Sequence, residues 1–321
     1  MDLMQILELI IPAAIFSAAP LIFTALGGVF SERSGVVNIG LEGLMLMGAF
    51  TGAVFTVFGE QWGFGAASPW FSFIVAIIVG ALFSLLHAVA SISFRADQVV
   101  SGVALNFLAA GLAVFLVKKI FDAGQTPIIA ERIDKSNVPF LSDIPIIGPL
   151  FFSHAYYTSY IAIALAFVVW YVIYKTPFGL RLRSVGEHPM AADTMGINVI
   201  KMRYIAVMLS GAFAGLGGAV YATSISGSFS HSTITGQGFM ALAAMIFGKW
   251  HPLGALGAAL FFGLAQSLSI TGQQIPLLKD IPEVYLLIAP YVLTILALAG
   301  LVGRADAPKA IGQPYEKGKG R

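Results

Sequence analysis

Seven stretches of the chain contain no Asp, Glu, Lys or Arg: 9–31, 61–94, 98–117, 144–174, 204–248, 250–278 and 284–303. A helix needs about 20 apolar residues to cross about 30 Å of hydrocarbon. Each stretch is long enough for one crossing, and the 45 residues of 204–248 are enough for two short ones. The pattern predicts spans over 9–30, 37–58, 71–93, 98–118, 156–174, 203–222, 253–271 and 284–302. A shorter apolar segment, 237–248, is either a crossing or a re-entrant half-helix. The expected fold is all-α, a polytopic transmembrane helical bundle of about 8–10 spans. Residues 1–303 form one transmembrane domain, and 304–321 a basic tail.

Composition supports this reading. The 321 residues are 58% hydrophobic and 11% charged, against about 25% charged in soluble domains. There is no cysteine, which excludes disulfides, thiol chemistry and Cys-based metal sites. Basic residues cluster at Lys175, Arg181, Arg183, Lys201 and Arg203, and again at Arg304, Lys309, Lys317, Lys319 and Arg321. Positive segments stay on the cytoplasmic side, so loop 176–203 and the C-terminus are placed inside. A basic tail directly after a span is read as a topology signal, and no nucleic-acid partner is expected. Loop 119–155 then falls outside, with no positive excess and with Pro127, Pro139, Pro145 and Pro149.

Loop 176–203 contains helix signals. Pro189 suits a first helical position, Gly196 a left-handed end and Asn198 the cap of a following helix. The enclosed Pro189 to Met195 would be about 10 Å long. Its small Ala191 and Ala192 suit insertion into a groove on a partner, although an ordinary solvated loop helix reads the same way.

Polar residues at membrane depth are costly and mark functional positions. Glu42, with Asn38 one turn before it on a helix beginning near Val36, lines a pathway or fixes a broken helix. The alternative is a Glu42 near the interface that satisfies backbone or Arg33. Asn106 and Gln266 bind helices together or face the pathway. Arg95 and Asp97 are expected to pair at the surface. His231 and Gln237 bracket the short apolar segment, and Phe239, like Phe107, could stack on a base or sugar face. Gly211, Gly215, Gly218 and Ala222 recur at helical spacing, as close packing requires. A Gly-rich entry at Gly35–Gly48 is echoed at Gly236–Gly248. No metal-binding or nucleophile motif appears. Gly248-Lys249 is followed by Trp250, and position 243 is Ala, so no phosphate-binding loop can form there.

Within the loop, Gly186, Glu187, His188 and Pro189, then Ala191-Ala192, then Gly196-Ile197 resemble the Glu-Ala-Ala-type motif of ABC-importer permeases. Ser31 to Gly48 and Gly236 to Gly254 are similar to the two signatures of the branched-chain amino acid, simple sugar and nucleoside permeases. Arg181 to Arg203 and Gly303 to Pro308 look closest to the bacterial nucleoside-importer branch. The resemblance covers essentially the whole chain. It implies a type II importer fold and a multi-pass protein of the bacterial plasma membrane. It also implies a non-enzymatic subunit that binds no cofactor or metal, with ATP and magnesium on a separate ATP-binding subunit docked at 186–197. The implied partners are that subunit, a second permease of similar but different sequence, and an extracytoplasmic substrate-binding lipoprotein. The candidate pathway residues are Asn38, Glu42, Asn106, Gln237, Phe239 and Gln266. Sugars or branched-chain amino acids are alternative substrates, and an ion-coupled carrier using Glu42 is the alternative mechanism.

Overall fold

The computed structural model describes residues 3–133, 135–153, 156–275, 281–282, 284–286, 288–289, 292, 296 and 306–318. The expected span 284–302 lies largely outside the described residues, as do Arg304, Lys319 and Arg321 of the tail. The helices are α1 (Leu3–Arg33), α2 (Leu41–Gln61), α3 (Ser68–Ala88), α4 (Gln98–Phe121), α5 (Tyr157–Lys175), α6 (Pro177–Glu187), α7 (Pro189–Thr194), α8 (Val199–Val220), α9 (Gln237–Phe247) and α10 (Pro252–Thr271). Wider π turns extend α3 through Val89–Ser93 and α8 through Tyr221–Ser226. Among the described residues, seven helices are long and apolar enough to cross a membrane: α1 to α5, α8 and α10.

Helix α8 occupies the centre because its small residues let α1, α2 and α3 approach to backbone contact; a methyl at Gly217 would lie 2.7 Å from the Pro20 carbonyl oxygen of α1. A methyl group added at Gly48 of α2 would lie 2.1 Å from the Gly215 carbonyl oxygen. One at Gly218 would lie 1.8 Å from that of Met45, and one at Gly80 of α3 2.3 Å from that of Gly211. Without a hydrophobic driving force between helices in lipid, such close van der Waals contact is what holds them. The glycine ladder expected on the sixth span is this interface. Helix α2 is buried almost throughout, whereas α3, α4 and α5 expose large apolar side chains such as Leu82, Phe107 and Phe167.

One end of the bundle is basic. The end of α1, the 94–97 turn, the α5–α8 connection, residues 249–251 and the tail meet there, through contacts such as Arg33 to Tyr174 and Ser93 to Tyr204. At the other end, Thr126 N–H donates to the Phe229 carbonyl, and Glu60 accepts from the Glu131 N–H at 2.8 Å. The 119–155 loop is therefore folded onto the bundle.

Two sequence expectations change, and the alternative left open for 237–248 is decided. The second span begins at Leu41 rather than 37, because 34–40 is irregular. Asn38 therefore lies outside the helix, and Glu42 sits in its first turn. Segment 237–248 folds as the 11-residue α9, about 16 Å long and about half a crossing. It completes a return to the basic end that irregular residues 227–236 begin, so the passage is a broken helix. Arg95 and Asp97 do not pair. Asp97 accepts from the Val100 N–H at 2.9 Å as the cap of α4, and Arg95 meets Glu316 at 3.1 Å.

Candidate functional site

Residues 34–40 place non-helical backbone inside the bundle, where each unsatisfied amide costs several kcal/mol. Side chains from three helices satisfy it. Val37 N–H donates to Gln98 at 2.7 Å, and its carbonyl accepts from His87 Nε2 at 2.9 Å. That contact places a ring proton on Nε2, while Nδ1 faces the Ser101 hydroxyl. Asn38 is fully buried and donates to Ser210 Oγ at 2.9 Å. Asn106 accepts from Gly43 N–H at 2.7 Å and donates to the Ile39 carbonyl at 3.1 Å. One amide thus bridges the last turn of the hinge to the first turn of α2. His87 and Gln98 carry no sequence signal, since their partner is the Val37 backbone, and Ser210 carries none because its partner is the side chain of Asn38, 172 residues away.

Helix α9 packs beside this hinge and is held at both ends by residues that flank it. At its start, the Glu42 carboxylate accepts from the N–H groups of Gly236 and Gly238 at 2.6 Å each, and of Phe239 at 3.3 Å. These are among the donors that a helix N-terminus leaves free, and the partial positive charge there favours an anion. A residue at Gly238 larger than glycine would put its Cβ 2.4 Å from the Glu42 Cα. The echoed segments 35–48 and 236–248 are therefore in direct contact. At its far end, Trp250 donates its indole N–H to Glu32 at 2.5 Å, and Arg33 donates to the carbonyls of Trp250 and Lys249 at 2.8 and 3.2 Å. Lys249 and Trp250 both have positive φ, 55° and 52°, an unfavourable backbone that these bonds stabilise.

The remaining candidates fall around this frame. Gln237 bonds locally, donating to Tyr221 Oη at 3.1 Å and accepting from Thr235 N–H at 2.5 Å. Phe239 is 47% exposed on α9, and Gln266 is half-buried on α10. Phe107 is 75% exposed on α4.

The loop residues lie at the basic end. Pro189 opens α7, Gly196 has φ +80° beyond its end, and Asn198 caps α8 by accepting from Lys201 N–H at 2.9 Å. Helix α6 precedes α7, and Gly186 belongs to it. A methyl at Gly186 would lie 2.1 Å from the Arg33 carbonyl oxygen. On α7 the paired alanines diverge: Ala192 is buried at 4%, whereas Ala191 is exposed. His188, Met195 and Gly196 are also exposed, while Glu187, Pro189 and Ile197 are half-buried. Among the described residues, no cluster of His, Asp or Glu could hold a metal ion.

A bundle of apolar spans, with a broken helix pinned inside it and a short helical loop at one end, defines a multi-pass membrane permease. The chain belongs to the family described as branched-chain amino acid transport system / permease component, whose profile matches residues 10–298. It is 67% identical over 320 residues to the guanosine ABC transporter permease protein NupQ of Bacillus subtilis, covering 99% of this chain and all of that one. It is 52% identical over 319 residues to the nucleoside ABC transporter permease protein NupC of Lactococcus lactis, again covering 99% of this chain and all of that one. A more distant relative is the guanosine ABC transporter permease protein NupP of Bacillus subtilis, 27% identical over 82% of this chain and 74% of that one.

Proposed function

We propose that the chain is one permease subunit of an ATP-driven nucleoside importer. The observation that carries this reading is identity of 67% and 52% over the full length to permeases described for guanosine and for nucleosides. The α6–α7 loop receives a separate ATP-binding subunit. Its exposed edge, with Ala191 and Met195, offers small and flexible apolar contacts at the basic end. Basic segments face the cytoplasm, which puts that loop and the tail inside, within reach of ATP. Bacillus subtilis contains both a 67%-identical and a 27%-identical permease described for guanosine, so the second half of the pathway here is a divergent paralogue. Substrate arrives from an extracytoplasmic binding lipoprotein, and ATP binding closes the motor and rocks the spans.

Phe239 lines the pathway. It is exposed at the start of a half-helix, and broken helices in transporters face a cavity. Glu42 is a holding group in this scheme, because three backbone amides already occupy its carboxylate. That arrangement weighs against an ion-coupled carrier with Glu42 as the ion site.

Uptake of labelled nucleoside is expected to stop on ATP depletion and to survive collapse of the ion gradients. Dependence on the gradients alone would rule out the reading. Ala191→Glu places charge on the exposed edge of α7 without entering the core. It is expected to abolish co-purification of the ATP-binding subunit and uptake together, at unchanged membrane abundance.

A further inference from the structure

The tail does not trail from the bundle. Residues 306–318 turn back across the basic end and bond three separate elements. Ala310 N–H donates to the carbonyl of Gly186, at the end of α6, at 2.9 Å. Gly312 N–H donates to the carbonyl of Gly35, in the hinge, at 3.1 Å. Glu316 meets Arg95, in the α3–α4 turn, at 3.1 Å. Ala310 and Tyr315 are 4% and 8% exposed, so the contact is packed as well as hydrogen-bonded.

Arg203 lies beneath the tail. It is one of the basic residues clustered at this end of the chain's loop, and it is 1% exposed. Its Nε donates to the Ser34 carbonyl at 3.2 Å and its Nη1 to the Gln313 carbonyl at 2.9 Å. A buried guanidinium is costly unless paired, and here the tail supplies one of its acceptors. On the outer side, Tyr315 and Lys317 join Asp193, Gly196, Ile197 and Asn198 around a cavity of about 450 Å³ beside α7.

We propose that residues 306–318 are a strap that holds the α6–α7 loop against the α1–α2 hinge, with Arg203 as its buried pin. The strap sets how tightly ATP hydrolysis is tied to substrate movement. This rests on the permease reading above. The geometry gives the reason. Displacement of α7 reaches the hinge through the Gly186–Ala310 and Gly35–Gly312 bonds, and the hinge moves together with the start of α2 and with α9, which Glu42 ties to it. Without the strap, α6 meets the end of α1 and the hinge by packing, Gly186 lying against Arg33 and Gly35, with no hydrogen bond between α6 and the hinge among the described residues. Docking on the exposed edge of α7 needs no tail residue, so assembly and coupling separate.

The test uses the assembled transporter in proteoliposomes, with the permease ending after Asp306. Membrane abundance and co-purification of the ATP-binding subunit are expected to persist. Uptake per ATP hydrolysed is expected to fall at least about fivefold, the low end of typical coupling between sites. An unchanged ratio would overturn the proposal. If the shortened chain does not accumulate, the full chain with Arg95→Cys and Glu316→Cys decides the matter, since it has no other cysteine. A short thiol–thiol cross-linker is expected to join the two positions and to leave uptake per ATP unchanged. Absence of the cross-link, or loss of uptake once it forms, overturns the strap. Failure of the unaltered chain to retain an ATP-binding subunit overturns instead the reading beneath it.

Discussion

A carboxylate at the depth of Glu42 can be neutralised by a cation or shared among amide donors. Here three N–H groups from one helix start surround it. Hydrogen bonds to a charged group contribute about 1.5–3 kcal/mol each, and unmade ones cost comparably. Glu42→Gln would turn an NH2 group toward one of those donors. It is expected to destabilise the purified protein by about 2–4 kcal/mol and to reduce uptake, as read by thermal unfolding and transport assays. Unchanged stability would show that the amides find other partners. Glu42 was legible in the sequence as an unusual charge in an apolar run. Its partners were not, because they lie about 194 residues further along the chain and are backbone groups that any residue type supplies.

His251 shows the same dependence on distant neighbours. It precedes α10, with its ring 4.8 Å from that of Tyr174, over whose ring Arg183 also lies at 4.8 Å and whose hydroxyl accepts from Arg33. Burial first, and then the Arg33 charge, lower its pKa below the ordinary 6.5. The folded state therefore holds its proton less tightly than the unfolded chain. The stability this gives is complete above pH 6.5 and is lost as pH falls below it. Thermal unfolding between pH 5 and 8 is expected to show that acid-side loss in the native protein. His251→Gln is expected to reduce it.

At the scale of elements, the short helices carry the lesson. Helix α7 was readable from Pro189, Gly196 and Asn198, because caps and punctuation are local. Helix α6 was not marked out, since its 11 residues have no apolar run of span length. The hinge at 34–40 reads as a span entry because Val36, Val37 and Ile39 are apolar, yet Gly35, with φ +87°, ends α1, and side chains from α3, α4 and α8 bond the backbone around it. Gly186 links the two short helices to α1. Gly186→Ala would force its methyl to within 2.1 Å of the Arg33 carbonyl oxygen, a backbone clash that costs about 1–3 kcal/mol. A matching fall in melting temperature is expected, with α6 lifted from the end of α1. An unaltered melting point and normal uptake would mean that this contact is not needed.

For the molecule as a whole, the charge arrangement and the all-helical membrane architecture were legible, and the direction of each described span follows from which ends meet. Helices α1, α3 and α5 run toward the basic end, and α2, α4, α8 and α10 away from it. The orientation can be checked directly. Met195 is 82% exposed at the basic end and Ile128 73% exposed at the other. Single cysteines at these positions should react with a membrane-impermeant maleimide on intact cells only at 128, and at 195 only after permeabilisation. The reverse pattern would invert the proposed sidedness.

Helix α9 is about 16 Å long and is tied at one end to Glu32 and Arg33 and at the other to Glu42. The hinge between those residues spans the same two points. Two members joined at both ends make a braced panel: neither can lengthen or fold without breaking the other's ties. The end of α1, the start of α2 and α9 must therefore travel as a single rigid plate. Any opening of the pathway has to be a swing of that plate about its borders, not a bending within it.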